Sequence, residues 1–132
     1  MKNSTAFFII CVLVLIVAAS GGGKGGSTPS APSRAAVSNS VPDLIEQAFG
    51  IYSGQALAIA KCESGYDPLA YNPTPVWVNG HAEHAMGVFQ IIPSTFARVS
   101  SGNAYNAYDN IQAAYKIFVQ DGYSWREWEC QA

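Results

Sequence analysis

Apolar and polar positions divide the chain into three regimes. From Ala6 to Ala19 every residue is apolar. From Gly21 to Asn39 the residues are too polar and too rich in Gly, Ser and Pro to bury a face, so this stretch reads as a flexible linker. Beyond it the spacing becomes helical. Ser40-Val41-Pro42-Asp43 has the form of a helix start, and Leu44, Ile45, Ala48 and Phe49 share one face up to Gly50. Ser53 is placed to cap a second helix, which contains Gln55 to Ser64 and stops at Gly65. Its many small and aliphatic residues predict that it lies in a core.

Tyr66 to Ala85 carries Pro, Gly and Asn signals and reads as a long loop or irregular hairpin. A loop of that length in a small domain is usually functional. Gly87 to Ile92 is short and apolar, and Pro93-Ser94-Thr95 opens a helix running to about Val99. Asp109 or Asn110 is expected to begin the longest helix, with Ile111, Ala114, Tyr115, Phe118 and Val119 at helical spacing and Gly122 after it. Ser124-Trp125-Arg126-Glu127 has capping-box form, predicting a last helical turn or two over Trp125 to Cys130. The pattern as a whole predicts a mostly α domain of the α+β kind over residues 40–132, with a small irregular or β element in its middle.

Composition narrows the partners. The 132 residues carry a formal net charge of −2 and only 12% charged residues, with no basic run to follow a phosphate backbone. Nucleic acid is therefore not an expected partner. Lys2, the apolar run and Val17-Ala18-Ala19-Ser20 have the layout of an export signal over residues 1–20. The run is shorter than the roughly 18–20 apolar residues of a membrane span, which favours a cleaved signal over a retained anchor. Residues 21–39 would then be the linker. Cys11 falls inside the run; cleavage leaves Cys62 and Cys130, an even number that reads as a disulfide in an exported chain. The expected location is secreted, periplasmic or wall-associated, with membrane attachment only through an uncleaved leader.

Glu63 is the candidate for chemistry. It lies on the last turn of the second helix, where desolvation and the negative helix end both raise a carboxyl pKa. That suits a proton donor near neutral pH. His81, Glu83 and His84 invite a metal reading, but no third ligand is well spaced, and solvated loop residues are the better reading; no metal or cofactor is expected.

Four segments in order then carry a resemblance. They are Glu63-Ser64 after the apolar helix; Asp67-Pro68-Leu69-Ala70-Tyr71-Asn72; Ala85-Met86-Gly87-Val88-Phe89-Gln90-Ile91-Ile92-Pro93-Ser94-Thr95; and Asp109-Asn110-Ile111-Gln112-Ala113-Ala114. The set resembles the soluble lytic transglycosylase catalytic domain of the lysozyme-like superfamily, across about residues 53–120. The resemblance implies a compact helical domain with its small element beside an active-site cleft. It implies Glu63 as acid and base, Gln90 across the cleft bonding the sugar, and Gly87 letting backbone approach the substrate. Asn72 would orient an N-acetyl group, Ser64 would support the helix end or the Glu, and Phe89 would lie among the substrate-binding residues. Asn110 would cap its helix.

The implied reaction is cleavage of the β-1,4 bond between N-acetylmuramic acid and N-acetylglucosamine in peptidoglycan, without water, giving 1,6-anhydromuramoyl ends. The partner is the glycan strand, and the expected state is a monomer. The Ala-Tyr-Asn-Ala-Gly segment usual after the Asn-Ile helix is absent there, leaving Tyr115, Tyr123 or Trp125 to replace its tyrosine. The stretch between Asn72 and Gly87 is longer than usual and would form a lid or subsite wall. Two alternatives remain: a lysozyme-like hydrolase, for which Asp67, Glu83 and Asp109 are the candidate second carboxylates, and a non-catalytic glycan-binding module.

Overall fold

A computed structural model describes residues 40–132. The export signal over 1–20 and the linker over 21–39 lie outside the described residues. Four α-helices dominate the described residues: α1 (Val41–Phe49), α2 (Ser53–Ser64), α3 (Pro93–Val99) and α4 (Ala107–Gln120). A two-stranded antiparallel hairpin, β1 (Val76–Val78) and β2 (His81–Glu83), sits between α2 and α3. The domain is mostly α with a small β element, as the periodicity predicts.

Helix α1 starts where its residues require. The Ser40 hydroxyl accepts from the Asp43 backbone N–H, the Asp43 carboxylate accepts from the Ser40 N–H, and Pro42 sits in the first turn. Helix α2 departs from expectation. A 3-10 turn over Gly50–Tyr52 feeds straight into it, so Ser53 already has helical backbone and caps nothing. Gly65 ends α2 in the left-handed conformation, its N–H bonded to the Lys61 carbonyl. Helix α4 begins earlier than predicted. Asn106 is its cap, accepting from the Asp109 N–H at 3.1 Å, and Asp109 turns back to accept from the Asn103 N–H.

The core is aromatic. Helix α1 packs on both α2 and α4, and Phe49 brings its ring against Phe89, Phe118, Tyr115 and Trp125. Trp125 lies 4.4 Å from Phe118 between ring centroids, and its indole N–H donates to Gln55. Burying such rings is among the larger apolar contributions a domain of this size can make.

The final predicted helix does not form. Residues 123–132 run as turns, with Trp128 N–H bonded to the Trp125 carbonyl. Ser124 accepts from Arg126 N–H, one residue short of a capping box. Long-range ties win over local propensity: the Trp128 indole donates to the Phe89 carbonyl at 2.9 Å, and Cys130 is bonded to Cys62. The disulfide is thus present, with 6.1 Å between Cα atoms.

Candidate active site

A cleft of about 300 Å³ opens between the end of α2, the segment 72–92, α3, α4 and the C-terminal turns. Glu63 lines it, together with Asn72, Val76, Gln90, Ile117, Glu127, Trp128 and Glu129 among others. The volume lies at the lower end of the range for small-molecule sites.

Glu63 is half-buried, and its Oε1 accepts from the Cys130 backbone N–H at 3.1 Å. Burial raises the carboxyl pKa above its ordinary value. The Cys130 hydrogen bond opposes the rise and the Glu129 carboxylate adds to it. Oε1 is thereby engaged, and Oε2 has no hydrogen-bond partner among the described residues.

The opposite wall is built from a strained turn. Met86 bridges to both Tyr71 and Ile91, and Gln90 takes a left-handed backbone with φ of 48°. Strain of this kind persists only where surroundings enforce it. Here the enforcing residue is Asn110, which is fully buried. Its Oδ1 accepts from Phe89 N–H at 2.8 Å, and its Nδ2 donates to the Ala104 and Met86 carbonyls. Asn110 is therefore a strut and not a cap. Gly87, at φ 77°, is required by the same packing: a Cβ there would collide with Asn110 and the Ala104 carbonyl. The glycine serves close backbone packing inside the fold.

The two amide side chains in the cleft are oriented by their other bonds. The Gln90 Nε2 donates to the Ala70 and Gly87 carbonyls, so both amide hydrogens are used and its carbonyl oxygen remains as an acceptor. The Asn72 Oδ1 accepts from Thr74 N–H, so its amide hydrogens remain as donors. Ser64 turns inward, donating to the Val88 carbonyl at 2.7 Å and the Ala60 carbonyl. It ties the end of α2 to the Gly87–Gln90 turn and does not line the cleft.

Four expected substrate residues lie elsewhere. Phe89 is fully buried and Trp125 nearly so, both in the aromatic core. Tyr115 packs edge-on against Phe49. Tyr123 stacks on Tyr52. The tryptophan that lines the cleft is Trp128, which sequence spacing did not separate from Trp125.

The hairpin contributes a wall through Val76. Its turn is Asn79-Gly80, both with positive φ. That dipeptide is a strong signal for a tight hairpin, and it could have located the strands. The carboxylates considered for hydrolysis are engaged away from the cleft. Glu83 accepts from Ser94 N–H at the start of α3, Asp67 from Leu69 N–H, and Asp109 from Asn103 N–H. Two others, Glu127 and Glu129, do line it. They escaped sequence reasoning because the turns that carry them meet α2 only in three dimensions. Among the described residues no group of three potential metal ligands converges, and no helix is long and apolar enough to cross a membrane.

No curated protein and no solved structure is a significant match to the chain. One family does match, over residues 41–130, from the first residue of α1 to the second disulfide cysteine. That family is the transglycosylase SLT domain, and the chain belongs to it, with the peptidoglycan lytic transglycosylase activity of that family in general.

Proposed function

We propose that this domain cleaves the β-1,4 bond between N-acetylmuramic acid and N-acetylglucosamine, with Glu63 as the single acid and base. The observation that carries the proposal is a half-buried carboxyl with raised pKa facing the cleft from the end of α2. The protonated Glu63 gives its proton to the glycosidic oxygen as the C1–O bond breaks. The sugar's own N-acetyl carbonyl supports the charge at C1, so no second carboxylate is needed. The ionised Glu63 then takes the C6 hydroxyl proton while O6 bonds to C1. The 1,6-anhydro end forms, Glu63 regains its proton, and water is not consumed.

The paired amides suit such a substrate. An acetamido group offers one acceptor and one donor, and the cleft offers the Asn72 donors and the Gln90 acceptor. The apolar side chains of Ile91, Ile92 and Ile117 keep water down around the carboxyl. Export also follows from the reading: the family acts on the cell wall, and the disulfide belongs to an oxidising compartment. Residues 1–20 would direct export, and residues 21–39 would let a monomeric domain reach the glycan.

Hydrolysis is the second reading, and Glu127 and Glu129 are the observation in its favour, since either could activate water in the same cleft. Replacement of Glu63 separates an enzyme from a binding module. Glu63→Gln is expected to lose roughly 10²–10⁴ in turnover of purified peptidoglycan while still sedimenting with it. Undiminished turnover by the variant refutes the assignment.

A further inference from the structure

The disulfide joins two places that matter to the cleft. Cys62 immediately precedes Glu63, and Glu129 immediately precedes Cys130. Both carboxylates line the same cleft, and the Cys130 N–H is the group that holds Glu63 Oε1. The segment 127–130 is neither helix nor strand. It is anchored at one end by the Trp128 indole on the Phe89 carbonyl, while the disulfide anchors the other. The S–S bond is therefore the covalent tie, beside the Cys130 N–H bond to Glu63, that keeps residues 129 and 130 against the end of α2.

We propose that this strap is a positioning device for Glu63, with Glu129 as its positioning residue, and that disulfide formation switches the active site on. The inference rests on the role of Glu63 given above. In the switching step the Cys62 and Cys130 thiols lose two protons and two electrons and form one S–S bond. The electrons pass to an oxidant of the disulfide class, which is left as a dithiol. A reduced chain keeps its aromatic core but frees the strap. Glu63 then loses its hydrogen bond, part of its burial and its charged neighbour together.

The charges around Glu63 give the variant a defined sign. From the strap it faces Glu127 and Glu129, while Arg126 pairs with Asp121 and, more loosely at 3.9 Å, with Glu127. The segment 72–92 presents the uncharged Asn72 and Gln90, with His84 bonded to the Asn72 carbonyl. Helix α3 presents Thr95 and α4 presents Ile117. Among the described residues no Lys, Arg or His lines the cleft. Removing the Glu129 charge therefore makes Glu63 easier to ionise, and the alkaline limb of activity moves to lower pH.

The test compares three samples of the full chain: the oxidised parent, the parent reduced by a small dithiol, and oxidised Glu129→Gln. Circular dichroism and thiol titration accompany rates of peptidoglycan cleavage across pH. The reduced, folded parent is expected to lose kcat on the order of a hundredfold with KM little changed. Glu129→Gln is expected to keep its fold while its alkaline limb moves to lower pH. If reduction unfolds the domain, the Glu129→Gln profile decides alone. Parental kcat in the reduced, folded protein, or a Glu129→Gln profile superimposed on the parent's, overturns the inference. An oxidised parent that cleaves nothing refutes the reaction itself, and this inference with it.

Discussion

At the scale of the residue, Glu63 combines a chemical advantage with a cost to the fold. Its native proton affinity exceeds that of the unfolded chain, because burial disfavours the charged form. The folded state therefore binds more protons. The stability this represents is complete below the ordinary glutamate pKa and is lost as pH rises through the raised native value. Glu63→Gln cannot ionise. Its melting temperature should match the parent's near pH ~4 and exceed it at neutral pH, by on the order of a few °C. Equal melting temperatures at both values would show that the Glu63 environment does not disfavour its charge. The half-burial of Glu63 follows from its place at the end of an apolar helix before Gly65, while its chemical role rests on the four ordered segments taken together and stays part of the proposal. Glu129 was not legible from sequence, because its neighbour in space lies 66 positions away in the chain.

At the scale of the element, the turn from Gly87 to Gln90 is held by one side chain of α4. Asn110 satisfies the Phe89 N–H and the Ala104 and Met86 carbonyls at once. Asn110→Ala leaves these groups buried without partners and should cost roughly 3 kcal/mol in chemical denaturation. A loss of less than half that amount would mean the turn stands without its strut. The helices themselves were largely readable. Ser40 and Asp43 name the start of α1, Gly65 names the end of α2, and Pro93 opens α3. The misreadings share a cause. Local pattern makes Ser53 and Ser124 caps and the resemblance makes Asn110 one, but each is governed by what it meets: a preceding 3-10 turn, a disulfide-held strap and a buried backbone turn. Gly87 has a reason within the fold itself, since a Cβ there would meet Asn110 and the Ala104 carbonyl.

At the scale of the whole molecule, the disulfide closes a loop spanning 68 positions, from the end of α2 nearly to the end of the described chain. A closed loop of that size is worth about 4 kcal/mol through the entropy of the unfolded chain. The double variant Cys62→Ala with Cys130→Ala should lose stability of about that size in reversible denaturation. A loss near zero would mean that the unfolded chain is already confined without the bond. The overall architecture followed from periodicity, because helices of this length declare their buried faces locally. The composition of the cleft did not, since its walls are drawn from α2, the hairpin segment, α3, α4 and the strap. Trp128 illustrates the difference. Only the folded arrangement separates it from Trp125, three positions earlier and wholly committed to the core.

The measurement that bears most directly on the proposed reaction is the mass of the muropeptides released from purified peptidoglycan by the oxidised protein. Non-hydrolytic cleavage by Glu63 predicts 1,6-anhydromuramoyl ends, each lighter by one water than a reducing end, and none from Glu63→Gln. Reducing ends would contradict it, identifying a hydrolase and turning attention to Glu127 and Glu129 as partners for Glu63.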